Sequence, residues 1–146
     1  MSPELTPELA LQISGFDPRY ARVLAIATSG DVGGTLIDPN GDGSNSEFEH
    51  VVLDETGEWT SGGGSGGGTS DAVGPHGWGD YSPQDQPGAR YAYGRADSPG
   101  PHTVTLRRPE GLPVTESKWW VARPLQVTAS AQGWWVWIER TPPPAE

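Results

Sequence analysis

The chain has 146 residues, of which 34% are hydrophobic, with 21 Gly, 15 Pro, seven Trp and no Cys. That length suits one domain, and the lack of Cys excludes disulfide scaffolds, zinc ribbons, iron–sulfur clusters and thiol catalysis. The formal charge of −10 lies wholly in residues 1–73, where twelve acids face Arg19 and Arg22, against seven acids and seven bases in residues 74–146; such a field repels phosphate backbones and disfavours nucleic acid.

The first segments read as helix starts. Ser2-Pro3-Glu4 and Thr6-Pro7-Glu8 each set a capping hydroxyl before a proline and an acid in the first turn. The second continues through Leu9, Ala10, Leu11 and Ile13 and stops at Gly15. A short helix over about residues 7–14 is predicted, with Leu5, Leu9, Ile13 and Phe16 on one apolar face.

Strand signals follow. Residues 22–28 form a buried-type run ending at the turn Ser29-Gly30-Asp31, and Thr35-Leu36-Ile37 returns as its hairpin partner. Residues 47–53 are followed by the turn Asp54-Glu55-Thr56-Gly57, and then by Glu58-Trp59. Further strands are predicted at 90–96, 102–108, near Val114 and Thr115, at 119–123, 125–130 and 134–140. Seven to nine short strands and one N-terminal helix make a mostly β chain, an antiparallel β-sandwich or open barrel. Between them, residues 60–88 include SGGGSGGG and GPHGWGDYSPQDQPG and read as a flexible Gly-rich insertion in a single domain, 1–146. Residues 141–146, TPPPAE after Arg140, read as a frayed tail.

One motif names specific chemistry. Asp38-Pro39-Asn40-Gly41-Asp42-Gly43-Ser44-Asn45-Ser46-Glu47-Phe48-Glu49 fits the calcium-loop spacing at every specified position. Asp38, Asn40, Asp42 and Glu49 would supply side-chain oxygens, and Ser44 a carbonyl, to Ca²⁺. Asn45 stands where paired loops carry an apolar residue, and Gly33-Gly34 argues against an incoming helix, so a polar hairpin loop competes with the metal reading.

Period-two alternation puts Trp134, Val136 and Ile138 on one face of the last strand, the core face, with Val104 and Leu106 as expected neighbours. Trp135 and Trp137, with Trp119, Tyr91 and Tyr93, could then form an aromatic platform for sugars, prolines or partner side chains. The competing reading covers both faces of that strand.

Catalytic patterns are poor. His50, His76 and His102 are scattered, and the literal G-x-S-x-G at 63–67 is a product of low complexity, lacking the strand–turn–helix context. Lys118 is the only lysine, so no P-loop exists. The chain is therefore read as non-enzymatic. Without an apolar run of about 18 residues or a basic start, it is expected in the cytoplasm.

The segments Ala27-Thr28-Ser29-Gly30-Asp31 with Leu36-Ile37-Asp38, then DETGEW, YGRA and GWWVW, resemble small uncharacterised β-rich proteins of high-GC bacteria. The resemblance implies strands and no activity. Two functional expectations stand: an interaction module whose acidic half binds a basic protein partner, in the manner of an immunity protein or accessory subunit, and a carbohydrate-binding module with a Trp platform and structural calcium.

Overall fold

The computed structural model describes residues 4–43, 45–68, 72–81, 88–106, 119–120 and 123–141, with backbone alone at 64–67. In chain order these hold α1 (Pro7–Ser14), β1 (Arg22–Ser29), β2 (Val32–Asp38), β3 (Ser46–Leu53), β4 (Trp59–Gly68), β5 (Gly74–Tyr81), β6 (Gly88–Arg95), β7 (Gly100–Thr105), β8 (Pro124–Ala129) and β9 (Trp134–Thr141). Every pairing is antiparallel: one sheet in the order β1-β2-β3-β4, a second in the order β5-β6-β9, and the hairpin β7-β8. The sheets stack without closing into a barrel, so the sandwich form of the expected fold holds.

The helix forms where its caps place it. Thr6 Oγ1 accepts the Leu9 N–H at 3.2 Å, and Gly15, at φ 79°, donates its N–H to the Leu11 carbonyl at 3.0 Å. Leu5, Leu9 and Ile13 then pack with Val51, Trp59, Ile26 and Leu53 on the outer face of the first sheet. Three of the four residues of the expected apolar stripe thus meet the sheet; Phe16 is half-buried and outside this cluster.

Strand β9 organises the second layer. Trp134, Val136 and Ile138 face the first sheet, packing with Leu36, Phe48 and Tyr93 and with Val32, Val52 and Ala89. On its other face Trp135, 1% exposed, packs with Ala92, Leu106, Leu125 and Val127, so the β7–β8 hairpin forms a third layer. Leu106 therefore belongs to the opposite face from the one assigned by sequence, and Val104 packs there too. A strand buried on both faces hides its alternation, which is why WWVWI offers no in/out contrast. Arg140 joins this strand to the first sheet: its N–H donates to Ser29 Oγ at 3.1 Å and its Nε lies 2.5 Å from Asp31 Oδ1.

Two strands lie where the sequence reads an insertion. Within 60–88, β4 pairs with β3 and β5 pairs with β6. The physical reason is cross-strand cover. Tyr93 lies opposite Gly77 and Tyr91 opposite Gly79, and each ring folds over the bare glycine. A Cβ on Gly77 would fall 2.5 Å from the Tyr93 hydroxyl. Aromatic rings thus supply the apolar contact that glycine lacks. Of the strand expected at 119–123, Trp119 and Trp120 lie in a turn and Arg123 in no strand, while 121–122 lie outside the described residues. The expectations at 107–118 and in the tail at 142–146 lie outside the described residues. No helix among the described residues is long and apolar enough to cross a membrane.

Candidate functional site

The calcium-loop residues come first. Asp38 closes β2 and is 3% exposed, with its carboxylate turned to the loop backbone. Oδ1 accepts the N–H groups of Asn40 at 3.2 Å and Gly41 at 3.0 Å, and Oδ2 accepts that of Gly43 at 2.7 Å. These bonds tie the hairpin turn in the manner of an Asx turn. Asn40 and Asp42 are exposed, and Ser44 lies outside the described residues. Glu49 lies well into β3, opposite Thr35. Paired strand residues share a face, so Phe48 goes with Leu36 and Asp38, while Glu49 goes with Thr35 on the reverse side of the sheet. The spacing that would converge ligands in a helix-flanked loop separates Asp38 from Glu49 once β2 and β3 are strands. No group of three or more His, Asp or Glu side chains fit to hold a metal exists among the described residues.

The expected aromatic platform divides between two faces. Tyr91 and Tyr93 point between the sheets, where Phe48 stacks between them at centroid distances of 5.0 and 4.8 Å. Burial and the neighbouring Tyr91 push the Tyr93 hydroxyl pKa above its ordinary value. Trp135 is covered by the hairpin. Trp137 and Trp119, both half-buried, stack on one another at 5.2 Å and 18° on the outer face of the second sheet. Beside them runs a charged row that sequence reading passed over. Register aligns Asp80, Arg90 and Glu139 across β5, β6 and β9. Glu139 accepts from Arg90 at 3.2 Å and from Arg123 at 3.1 and 2.5 Å, and Arg123 lies 5.2 Å from the Trp137 ring centroid. Its hydrogen bonds to Arg123 hold the Glu139 carboxyl below the usual range. Indole faces and guanidinium groups here are largely engaged with each other.

The burial of His50 is a second feature missed by sequence. The residue lies mid-strand in β3, 2% exposed, stacked on Tyr81 at 4.2 Å and edge-on to Phe48 and Tyr91. Tyr81 donates to the Gly62 carbonyl of β4, so the ring stack joins the two Gly-rich edges. His50 Nδ1 is buried without a hydrogen-bond partner among the described residues, and burial pushes the imidazole pKa down to about 4.

The electrostatic asymmetry has a structural boundary. The acidic half of the chain, residues 1–73, supplies α1 and the whole sheet β1–β4, whereas the balanced half supplies β5–β9. Within the acidic layer Glu4, Glu8, Asp42, Glu47, Asp54, Glu55 and Glu58 are exposed, while its only cations are Arg19 and Arg22. Arg19 is paired with Asp17 at 2.8 Å. In the other layer Arg90, Arg123 and Arg140 are each engaged by a carboxylate. One broad side of the sandwich is therefore anionic.

That side also carries a groove. At the end of the sheet where the β1–β2 and β3–β4 turns meet, the Leu53 N–H donates to the Asp31 carbonyl at 2.8 Å. A cavity of about 470 Å³ opens there, lined by Glu4, Leu5, Ile26, Ala27, Thr28, Gly30 and Trp59. Leu5 packs closely on the sheet there, its Cδ2 lying 3.3 Å from the place where a Cβ on Gly33 would stand. Comparison with protein-family models, curated proteins and solved structures returns no match to this chain.

Proposed function

We propose that this protein is a non-enzymatic interaction module whose acidic layer, α1 with β1–β4, binds a basic protein partner as an inhibitor or accessory subunit would. The observation that carries the reading is the coincidence of charge boundary and layer boundary. A chain that is acidic merely for solubility has no reason to confine its excess to one side of a sandwich, whereas a steering surface does. Turn carboxylates and strand carboxylates contribute together, Asp54, Glu55 and Glu58 from the β3–β4 turn and Glu47 from β3. Saccharide stacking has less to draw on, because Trp119 and Trp137 cover one another and Trp135 is buried.

The test is capture with the immobilised full chain, followed by a salt series. The partner should be a basic protein, its binding should fall steeply with ionic strength, and Glu47→Gln/Glu55→Gln/Glu58→Gln should abolish most of it. Asp80→Asn, in the balanced layer, should leave it unchanged. Binding that survives both high salt and the triple substitution would overturn the reading.

A further inference from the structure

We infer that the groove between the start of α1 and the outer face of β1 and β4 takes a single long cationic side chain, an arginine or lysine, presented by the basic partner. The inference rests on the acidic-layer reading above and goes further by naming the anchor. Three features of the groove select that chemistry. Leu5, Ile26 and Trp59 line part of it and offer apolar contact to a methylene stem, within a lining that is otherwise mostly polar. Its rim carries the Glu4 carboxylate and the Thr28 hydroxyl, both exposed, which can receive donors from a guanidinium or ammonium head. The adjoining β3–β4 turn adds Asp54, Glu55 and Glu58, so the local field is anionic around the opening. The nearest described cation at this end, Arg140, is already held by Asp31 at 2.5 Å.

An apolar side chain of the same length would forfeit the rim, and an anion would meet Glu4. A neutral polar side chain would bury its stem without charge assistance at the head. Charge complementarity therefore commits the groove to a cation on an apolar stem. An aromatic wall adds to this preference, since a guanidinium is more weakly hydrated than an ammonium and lies well against indole.

The probe is an end-blocked pentapeptide with a central arginine flanked by glycines, titrated into the isotope-labelled full chain and followed by NMR. Matched peptides carry lysine, citrulline or norleucine at the centre. Arginine or lysine should shift the Leu5 and Ile26 methyl signals and the Trp59 indole signal together, and citrulline and norleucine should not. The arginine and lysine arms separate the two sources of charge. Glu4→Gln should weaken the cationic peptides by roughly threefold to tenfold, the effect of losing one charge-assisted contact. Glu4 and Thr28 are exposed, so Glu4→Gln and Thr28→Val test the rim without disturbing the core.

Equal shifts with norleucine would show an apolar slot and overturn the inference. So would silence at these three residues with every peptide, or shifts of the same residues that grow with protein concentration alone, which would give the groove to a second copy. Failure here is distinguishable from failure of the acidic-layer reading, because capture and its salt series report on the whole layer, including Glu47 near the other end of the sheet, whereas the peptide signals report on the groove alone. Salt-dependent capture that persists with a silent groove would leave the broader reading intact.

Discussion

His50 lies between the two sheets with no carboxylate among the rings that surround it; the titratable neighbours are Tyr81 and Tyr91. Burial favours the neutral imidazole, so its folded pKa of about 4 lies below the ordinary 6.5. The sign follows. Above the ordinary value both states are neutral and the full stability is present; as pH falls from about 6.5 toward about 4, the unfolded chain gains a proton that the folded chain refuses. Stability is lost through that window, by an amount on the order of 3 kcal/mol at most, and this group adds no further loss below it. The urea midpoint of the native chain should therefore drop between about pH 7 and about pH 4.5, and His50→Phe should flatten the drop while keeping the ring in place. A flat native profile over that range would show that the imidazole reaches solvent. Sequence could not reveal this burial, since Tyr81 and Tyr91 arrive from other strands. The glycines were more legible than the insertion reading allowed. Gly77-Trp78-Gly79-Asp80 alternates with period two, and the gaps it leaves are filled by Tyr93 and Tyr91. Gly77→Ala should accordingly cost about 1–3 kcal/mol, read as a lowered melting temperature, because the Tyr93 ring has nowhere to swing.

Elements with their own punctuation were readable in advance. Thr6, Pro7 and Gly15 bound α1 as expected, and Thr6→Ala should cost about 1 kcal/mol through the lost bond to Leu9 N–H. Strands β1, β3, β6 and β9 carry β-branched or aromatic runs closed by turns, and each lies close to its expected place. Strands β4 and β5 have no β-branched or aromatic runs, only Trp59 and Thr60, and Trp78 and Tyr81, among glycines; their order comes from neighbours, which local pattern cannot report. Site residues fared less well for a related reason. Placing Asp38 and Glu49 on one metal required a loop conformation that the β2–β3 pairing denies, and grouping Tyr91 with Trp135 required knowing the face each strand presents. The layer beneath the hairpin offers a test. Trp135→Ala should cost roughly 3–5 kcal/mol, since it opens a cavity against Leu106, Leu125 and Val127. Mild quenching of Trp135 fluorescence in a single-Trp background should confirm its cover; ready quenching by iodide would place it on an open face instead.

At the scale of the whole molecule, one charge distribution acts on two equilibria with opposite sign. The acidic layer holds twelve carboxylates against two arginines, and Glu47 and Glu49 face the same side of β3 two residues apart. Like charges at that spacing repel across about 7 Å, within a Debye length at physiological salt. Added salt screens this repulsion in the folded chain, where the layer gathers the charges, more than in the expanded unfolded chain. The melting temperature of the free protein should therefore rise with ionic strength, and Glu49→Gln should reproduce part of the rise at low salt. The same salt screens the attraction between this layer and a basic partner, so affinity should fall across the same series, chiefly through a slower association rate. Calorimetric scans and association rates measured in one set of buffers separate these effects. A melting temperature that falls with salt would mean that the ion pairs of Arg140 with Asp31 and of Arg123 with Glu139 outweigh the repulsion, and the acidic layer would then be a balanced surface with little capacity to steer a partner.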